Sequence, residues 1–225
     1  MLSTLIDNEF TVKQATMIVG GLSKPGKMPG SGWSIPAAEC KRGSKLREKK
    51  GTACFGCYAC KGRYSFANVQ KALYNRLESF KNPLWIFAMA FLLKNESYFR
   101  WFDSGDLQSE EMLGKIVEVC NKTPKCNHWL PTREYAIVKK FLSKGNTIPD
   151  NLNVRISADM IGKLPSCKIM DAATFSTISL TETDPITKSA FNCPVSMKKE
   201  IKTCDEAGCR KCWDKNTQHI NYKKH

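Results

Sequence analysis

Strand-like and helix-like segments alternate between residues 98 and 182 of the 225-residue chain, and this order limits the folds available to it. A strand–helix–strand order is typical of right-handed crossovers that build a parallel sheet. We therefore predict an α/β protein with a partial (β/α) barrel-like parallel sheet. The predicted strands are residues 98–106, 127–134, 153–159 and 175–182, and the predicted helices between them are 109–122 and 135–145.

The region before this core is predicted to be less regular. "VKQATMIVGG" (12–21) is predicted to be a strand that ends in glycines, and the stretch after it, rich in Gly, Pro and Ser, to be a loop. Residues 40–64 are predicted to form an irregular loop organised by metal. Apolar residues at helical spacing predict two helices, over 65–81 and 83–94.

We expect one domain over residues 1–225, because no long linker interrupts the chain. It would comprise the cysteine loop at 40–64, the β/α core at 98–182 and a C-terminal metal-binding segment at 193–225. The most apolar run, "PLWIFAMAFLL" (83–93), is too short to cross a bilayer. The N-terminus also lacks the features of a signal peptide. We therefore expect no membrane association and a cytoplasmic location, where disulfides are rare.

Eleven cysteines give the chain its strongest chemical signature. Eight of them fall into two groups of four, which is the number of ligands that a zinc ion or an iron–sulfur cluster takes. Two-residue spacings within the groups let one turn of backbone aim two sulfurs at one metal. The N-terminal group is Cys40, Cys54, Cys57 and Cys60, and the C-terminal group is Cys193, Cys204, Cys209 and Cys212.

The spacing favours iron over zinc. Three cysteines at x2, x2 spacing match the run of bacterial ferredoxins, in which a further cysteine precedes a proline, as Cys193 does here. We therefore expect one or two [4Fe–4S] clusters, with zinc as the alternative. The pairing stays open, because Cys40 and Cys193 could exchange roles and Cys60 could be left without metal. The other cysteines and the histidines are expected to be structural: Cys120, Cys126, Cys167, His128, His219 and His225.

Polar residues follow three successive predicted strands. The carboxyl ends of parallel strands are where open α/β sheets bind their ligands, so we predict a ligand site there. Arg133 and Asp159 are the strongest candidates for mutation. The full set is Asp103, Ser104, Gly105 and Asp106 after the first strand, Thr132, Arg133 and Glu134 after the second, and Ser157 and Asp159 after the third.

Thirty-five Lys and Arg residues against 21 Asp and Glu residues give a formal charge of +14. Such an excess favours contact with nucleic acid or another polyanion. The basic residues are spread along the chain, with small clusters at 45–50 and 222–225. Cysteine thiolates around bound metal would lower the true charge, because each such site is anionic.

Several segments together resemble the bacteriophage gene-88 protein family. They are "GWSIPAAEC", "CFGCYACKGRY", "FRWFDSGDLQS", "HWLPTREY", "VRISADM" and "CRKCWDKNTQHINYKKH", and they extend from residue 32 to the end of the chain. The resemblance implies a viral or prophage origin and hence a location in the cytoplasm of the host cell.

The layout also distantly resembles radical S-adenosylmethionine enzymes. Their three-cysteine loop follows the first strand and binds a [4Fe–4S] cluster with one open iron, as Cys54, Cys57 and Cys60 would. The resemblance implies that "DSGD" (103–106) contacts the cofactor, with Asp106 on its amine and Arg133 or Ser157 on its carboxylate or ribose. It assigns catalytic roles to Asp103, Asp106, Arg133 and Asp159, and cofactor binding to Ser104, Gly105, Glu134 and Ser157.

Two functions follow from these observations. The first is a viral iron–sulfur protein with a radical-enzyme-like layout that modifies nucleic acid or protein. The alternative is a zinc-binding viral module that binds nucleic acid, a host protein or a viral protein without catalysis. The spacing of the first cysteine group differs from the Cys-x3-Cys-x2-Cys of radical enzymes. With Cys40 as a fourth ligand, the first cluster would have no open iron and would be structural or carry electrons.

Overall fold

Seven parallel strands form one sheet in the computed structural model, which describes residues 10–166 and 174–224. The strands are β1 Ser31–Trp33, β2 Tyr98–Trp101, β3 Asn127–Thr132, β4 Leu152–Ser157, β5 Thr174–Ser179, β6 Phe191–Asn192 and β7 His219–Lys223. Their order is β1-β2-β3-β4-β5-β7-β6, and every neighbouring pair is parallel. The sheet stays open, which confirms the predicted α/β class with a partial (β/α) barrel-like sheet.

Helices connect most of the strands. They are α1 Val12–Ile18, α2 Lys41–Arg47, α3 Ala67–Ser79, α4 Trp85–Leu93, α5 Glu110–Lys122, α6 Tyr135–Ser143 and α7 Pro194–Met197. The predicted helices over 65–81, 83–94, 109–122 and 135–145 are therefore confirmed. Among the described helices, none has both the length and the apolar composition that crossing a bilayer requires.

Local sequence explains where α5 begins and which way it faces. The Ser109 side chain accepts a hydrogen bond from the Met112 N–H at 3.1 Å, and two glutamates follow in the first turn. Met112, Leu113, Ile116 and Val119 recur at helical spacing and are buried. This apolar face packs α5 against the sheet and so sets the crossover from β2 to β3.

The main core gathers tryptophans from two strands and one helix. Trp33 of β1 lies edge-on to Trp85 of α4, with ring centroids 5.3 Å apart, and to Trp101 of β2 at 6.3 Å. All three are fully buried. Large aromatic contacts of this kind contribute both apolar burial and specific geometry. They hold the edge strand β1 in place and thereby fix where the chain leaves the sheet toward the cysteines.

Two predictions near the N-terminus are wrong. Residues 12–21 form mainly a helix, α1, because Thr11 and Gln14 make a capping box in which each side chain bonds the other's backbone N–H. The first strand is instead β1, a three-residue segment inside the predicted loop, which pairs with β2 from Ser31 to Trp33. Residues 40–64 are also less irregular than expected, since α2 occupies 41–47.

The C-terminal strands were not predicted. β7 carries "HINYK" and inserts between β5 and β6, although it comes last in the chain. Buried polar contacts hold it there: Thr177 Oγ1 lies 2.8 Å from His219 Nε2 and donates to Asn221 Oδ1 at 3.0 Å. A strand with polar residues at alternate buried positions lacks the apolar alternation on which strand prediction depends.

Candidate functional site

A cavity of about 580 Å³ lies at the carboxyl ends of the strands. Residues that follow β2, β3 and β4 line it, including Asp106, Arg133 and Ser157. Both cysteine groups also reach it, although they are more than 130 residues apart in the chain. Its cysteine lining consists of Cys40, Cys54 and Cys57 from the N-terminal group and Cys193, Cys204 and Cys212 from the C-terminal group.

The N-terminal cysteines come together through α2 and two tight turns. A Cβ atom added to Gly43 would lie 3.6 Å from Cys40 Sγ and 3.7 Å from Cys54 Sγ, so both sulfurs flank this glycine. The Cys57 N–H donates to the Cys54 carbonyl at 3.0 Å, and the Cys60 N–H donates to the Cys57 carbonyl at 3.2 Å. Cys60 itself lies outside the cavity lining.

Burial dominates the chemistry of these thiols. It raises the pKa of Cys40, with further contributions from Asp106, Cys54 and Cys57. Burial also raises the pKa of Cys54, while the Arg133 guanidinium lowers it. A metal that bound here would have to displace protons from thiols that hold them tightly.

Arg42 fixes the position of α2. Its guanidinium pairs with the Asp159 carboxylate, and its backbone N–H donates to Glu134 Oε1 at 2.6 Å. The guanidinium also lies over the Tyr135 ring, 4.5 Å from the centroid. Asp159 and Glu134, predicted to be catalytic and cofactor-binding, thus lie outside the cavity lining and hold the segment that begins at Cys40.

The C-terminal cysteines form the second group. Burial raises the pKa of Cys204 to about 11, with contributions from Cys193 and Cys209, and raises that of Cys212 to about 12. The Cys209 N–H donates to the Cys204 carbonyl at 2.9 Å. Cys193 therefore lies with the C-terminal cysteines and Cys40 with the N-terminal ones, a question that the sequence left open.

Tyr222 of β7 touches the second group directly. Its hydroxyl oxygen lies 3.1 Å from Cys212 Sγ, and the residue lines the same cavity. Trp213, the next residue after Cys212, donates from its indole nitrogen to the Phe99 carbonyl at 2.9 Å. These contacts attach the C-terminal segment to β7 at Cys212 and to β2 at Trp213.

Arg155 of β4 holds the same C-terminal segment through hydrogen bonds to its backbone carbonyls. It is fully buried in β4, and its two terminal nitrogens reach five backbone carbonyls. The acceptors are Phe175, Lys211, Asp214, Thr217 and Gln218. Sequence reasoning missed this residue, because an arginine in a predicted strand gives no signal of burial.

The turn after β2 is tightly constrained. Phe102 has a φ of 54°, which is strained for a bulky residue, and Gly105 has a φ of 79°. A Cβ at Gly105 would lie 2.7 Å from the Ile35 carbonyl oxygen, so only glycine fits. The Ser104 hydroxyl, buried on the cavity lining, has no hydrogen-bond partner among the described residues.

The two aspartates of this turn are already engaged. Asp106 accepts hydrogen bonds from Thr132 Oγ1 at 2.5 Å and from the Leu107 and Arg133 N–H groups at 2.8 and 2.9 Å. Burial nevertheless raises the pKa of Asp106 to about 6, against the effect of these bonds. Asp103 pairs with Arg100 at 2.9 Å and accepts from the Tyr64 hydroxyl.

Arg133 and Ser157 line the cavity and have hydrogen-bonding groups that the protein does not use fully. Arg133 Nε donates to the Ala158 carbonyl at 3.2 Å, whereas its terminal nitrogens have no hydrogen-bond partner among the described residues. Ser157 Oγ accepts from Ser176 Oγ at 3.2 Å. The structure thus brings Asp103, Ser104, Gly105, Asp106, Thr132, Arg133 and Ser157 together at the cavity.

The remaining cysteines and histidines that the structure describes lie apart from the site. Cys120 and Cys126 are buried in the main core, and His128 stacks on Trp101. His219 is held in the sheet by Thr177. Cys167 and His225 are outside the described residues.

The described cysteines are ten free thiols, and none is in a disulfide. Across residues 10–166 and 174–224, no three His, Cys, Asp or Glu side chains surround one point closely enough to hold a single metal ion. Metal binding by either group stays a prediction.

Fold and site together define an α/β protein whose two cysteine groups meet at one cavity. The chain belongs to the Gene product 88 family, whose model matches residues 7–219, which confirms the resemblance to the bacteriophage gene-88 proteins. No curated protein and no solved structure matches the chain. The resemblance to radical S-adenosylmethionine enzymes has no support from these comparisons and stays a hypothesis.

Proposed function

We propose that this chain is an iron–sulfur protein in which the two cysteine groups hold clusters beside one ligand cavity. The single observation that carries the proposal is the convergence of six cysteines, three from each group, on that cavity. The C-terminal group would supply the four cysteines that a [4Fe–4S] cluster takes, and the N-terminal group would hold its cluster through Cys40, Cys54 and Cys57, with Cys60 outside the cavity lining. The cavity size lies within the range of small-molecule sites, which supports a ligand bound next to the clusters.

Charge around the cysteines supports the same proposal. Arg47 opposes the burial-raised pKa of Cys40, and Arg133 does so for Cys54. Arg155 and Arg210 act in the same way on Cys212 and Cys204. Each group thus has two or more neighbouring cations available to compensate the negative charge of a thiolate-bound cluster.

We further propose a layout like that of radical S-adenosylmethionine enzymes. The cysteine loop follows β1, the "DSGD" turn follows β2, Arg133 follows β3 and Ser157 ends β4, and all four line the cavity. A reduced cluster with an open iron supplies the electron that cleaves the cofactor in such enzymes. Here Ser104, Arg133 and Ser157 would bind and orient the cofactor, while Asp106 would hold the ends of β2 and β3 together.

The partner and location follow from charge and thiol chemistry. A formal charge of +14 supports a polyanionic partner, with nucleic acid preferred over a host or viral protein. Clustered cysteines with no disulfide among the described residues support action in the reducing cytoplasm of the host.

The test is iron and acid-labile sulfide analysis, with an absorption spectrum, on protein purified without oxygen. We expect roughly four to eight irons with matching sulfide. Two variants separate the sites: one replaces all four N-terminal cysteines with serine and the other replaces all four C-terminal cysteines. Each variant is expected to lose the iron that the replaced cysteine group binds and to keep the rest. Zinc without sulfide would overturn the proposal and identify a zinc-binding module.

A second measurement tests the radical-enzyme layout. S-adenosylmethionine added to the reduced protein is expected to change the electron paramagnetic resonance of the N-terminal cluster, and not that of the C-terminal one. An unchanged spectrum would mean that no iron is open and would leave a structural or electron-carrying cluster.

A further inference from the structure

We infer that the cavity binds a nucleotide, with its phosphate on Lys27 and Lys224 and its base against Phe55. Any reaction of the bound nucleotide rests on the proposed function. Binding of the nucleotide does not, and it is tested separately. The class of ligand is inferred from the charged and aromatic side chains that line the cavity, and it does not depend on a metal or cluster at the cysteines.

The lining is strongly basic. It contains six Lys and Arg side chains and only two acidic ones, Asp103 and Asp106. Both acids are satisfied within the protein, Asp103 by Arg100 and Asp106 by three hydrogen-bond donors. The unpaired charge that a ligand would meet is therefore positive, which selects an anion.

Four of these six cations have another partner or a role in the proposed function. Arg47 donates to the Ala37 carbonyl at 2.8 Å, Arg100 pairs with Asp103 at 2.9 Å, and Arg133 is assigned to the cofactor in the proposed function. Lys223 lies 3.6 Å from Glu182. Lys27 and Lys224 remain, and neither has a carboxylate within 4.0 Å among the described residues. Two ammonium groups without acidic partners suit a phosphate, which accepts hydrogen bonds on several oxygens.

An exposed aromatic ring lies beside one of these lysines. Phe55 lines the cavity and is 38% exposed, so its ring is accessible to a ligand in the cavity. Lys224 Nζ donates to the Phe55 carbonyl at 3.1 Å and lies 5.8 Å from the centroid of its ring. A phosphate bound to Lys224 would thus bring a base attached through its sugar within reach of this ring.

A ligand that offers a phosphate to the lysines and a flat aromatic group to Phe55 has the chemistry of a nucleotide. Base–aromatic stacking and phosphate–lysine contacts are the two interactions that recur in proteins that bind nucleotides in single strands. A cavity of about 580 Å³ lies within the range of small-molecule sites, and Lys27, Lys224 and Phe55 are distinct from Ser104, Arg133 and Ser157, which the proposed function assigns to the cofactor. The same contacts would serve a free nucleotide or one residue of a strand, and the two sources are separated by experiment.

The experiment titrates the full-length protein, purified without oxygen, with nucleoside monophosphates and with a short single-stranded oligonucleotide. We expect saturable binding of at least one of them. Binding of the monophosphates indicates a free nucleotide, and binding of the oligonucleotide alone indicates a nucleotide within a strand. Inorganic phosphate and an unphosphorylated nucleoside, tested separately, are each expected to bind more weakly.

Matched variants test the residues. Phe55→Leu is expected to weaken binding about tenfold, the size of one base–aromatic stack, while Phe66→Leu, exposed but outside the lining, is expected to leave it unchanged. Lys27→Gln and Lys224→Gln are expected to weaken it by a similar factor, and Lys71→Gln on exposed α3 is not. All these side chains except Lys224 are exposed, so folding is expected to be retained.

Failure of this inference and failure of the proposed function are distinguishable. Iron and sulfide are measured on the same samples. Protein with full cluster content that binds neither ligand, or whose Phe55→Leu and Phe66→Leu variants bind equally, overturns the nucleotide site alone. Protein without iron that binds nucleotide through Phe55 and Lys224 overturns the cluster proposal alone.

Discussion

The guanidinium of Arg42 holds the carboxylate of Asp159, with Nε donating at 2.9 and 3.1 Å to its two oxygens. Arg42 lies two residues after Cys40, and Asp159 follows β4. The Asp159 carbonyl also accepts from the Ala53 N–H at 2.7 Å, immediately before Cys54. Asp159, just after a central strand, therefore anchors both the segment that carries Cys40 and the segment that carries Cys54.

Arg42→Gln is expected to loosen this anchor. We expect the free energy of unfolding to fall by about 1–2 kcal/mol, because the pair is charge-assisted but partly exposed. Iron bound by the N-terminal group is expected to fall as well. Urea unfolding and iron analysis test both effects. Lys45→Gln, an exposed site on the same helix, is the control, and equal behaviour of the two variants would rule out the anchoring role.

Gly43 tests how closely the sulfurs pack. A Cβ at this position would lie 2.9 Å from Cys40 Cβ, closer than real contacts allow. Gly43→Ala is therefore expected to displace Cys40 and to lower the metal content of the N-terminal group. Gly114→Ala in α5 is the matched control, since its Cβ would meet only Phe141 at 3.8 Å. Alanine favours a helix by about 1 kcal/mol over glycine, so this control should be as stable as the parent or more so.

The core of the fold was predictable because its periodicity is local. The helices over 109–122 and 135–145 carry apolar faces at helical spacing, and the strands between them are flanked by turn residues. The seven-stranded sheet needed more than this. β1 is three residues long in a loop-like stretch, and β7 is stabilised by Thr177 and Asn221 across the sheet, contacts that have no local signature.

The site was predictable in composition but not in arrangement. Spacing alone grouped most of the cysteines, and the strand-end rule identified Arg133, Ser157 and the 103–106 turn as cavity residues. The same rule could not separate Asp159 from them, because its partner Arg42 lies 117 residues away in the chain. The side on which Cys40 and Cys193 fall depends equally on long-range packing.

Single cysteine replacements are expected to divide the N-terminal group. Cys40→Ser, Cys54→Ser and Cys57→Ser are each expected to remove most iron from this group, because these three residues line the cavity. Cys60→Ser is expected to retain more, since Cys60 lies outside the lining. Cys120→Ser, in the apolar core, controls for general destabilisation. Iron per chain is the measurement, and complete loss in Cys60→Ser would make it an equal ligand.

Arg155 is expected to be essential for the C-terminal segment. Arg155→Lys leaves several of the five carbonyls without a donor and keeps a buried charge, so we expect unfolding to become easier by about 3 kcal/mol. Proteolysis near residues 209–218 should increase. Arg63→Lys, at an exposed site, is the matched control. A variant as resistant to protease as this control would show that the segment is held by other contacts.

His128 is expected to make the protein sensitive to acid. Burial lowers the pKa of His128 to about 3, from an ordinary value of 6.5. Between these two pH values His128 is protonated in the unfolded chain and neutral in the folded protein. Stability from this group is complete above pH 6.5 and is lost progressively as the pH falls toward 3. For this residue alone the loss between pH 7 and pH 5 is roughly 2 kcal/mol.

His128→Phe isolates this effect, because phenylalanine keeps an aromatic ring against Trp101 and does not titrate. The ring nitrogen Nδ1 has no partner among the described residues, whereas Nε2 lies 2.9 Å from Thr123 Oγ1. The variant loses this one contact at both pH values, so the loss cancels when the change from pH 7 to pH 5 is compared. Asp106 acts with the opposite sign: its raised pKa of about 6 gives stability that is present in acid and lost as the pH rises through 6. Asp106 is present in both proteins, so its contribution cancels in the comparison. Urea unfolding at pH 7 and pH 5 should show a smaller loss in the variant, and equal losses would mean that the His128 ring is protonated in the folded protein.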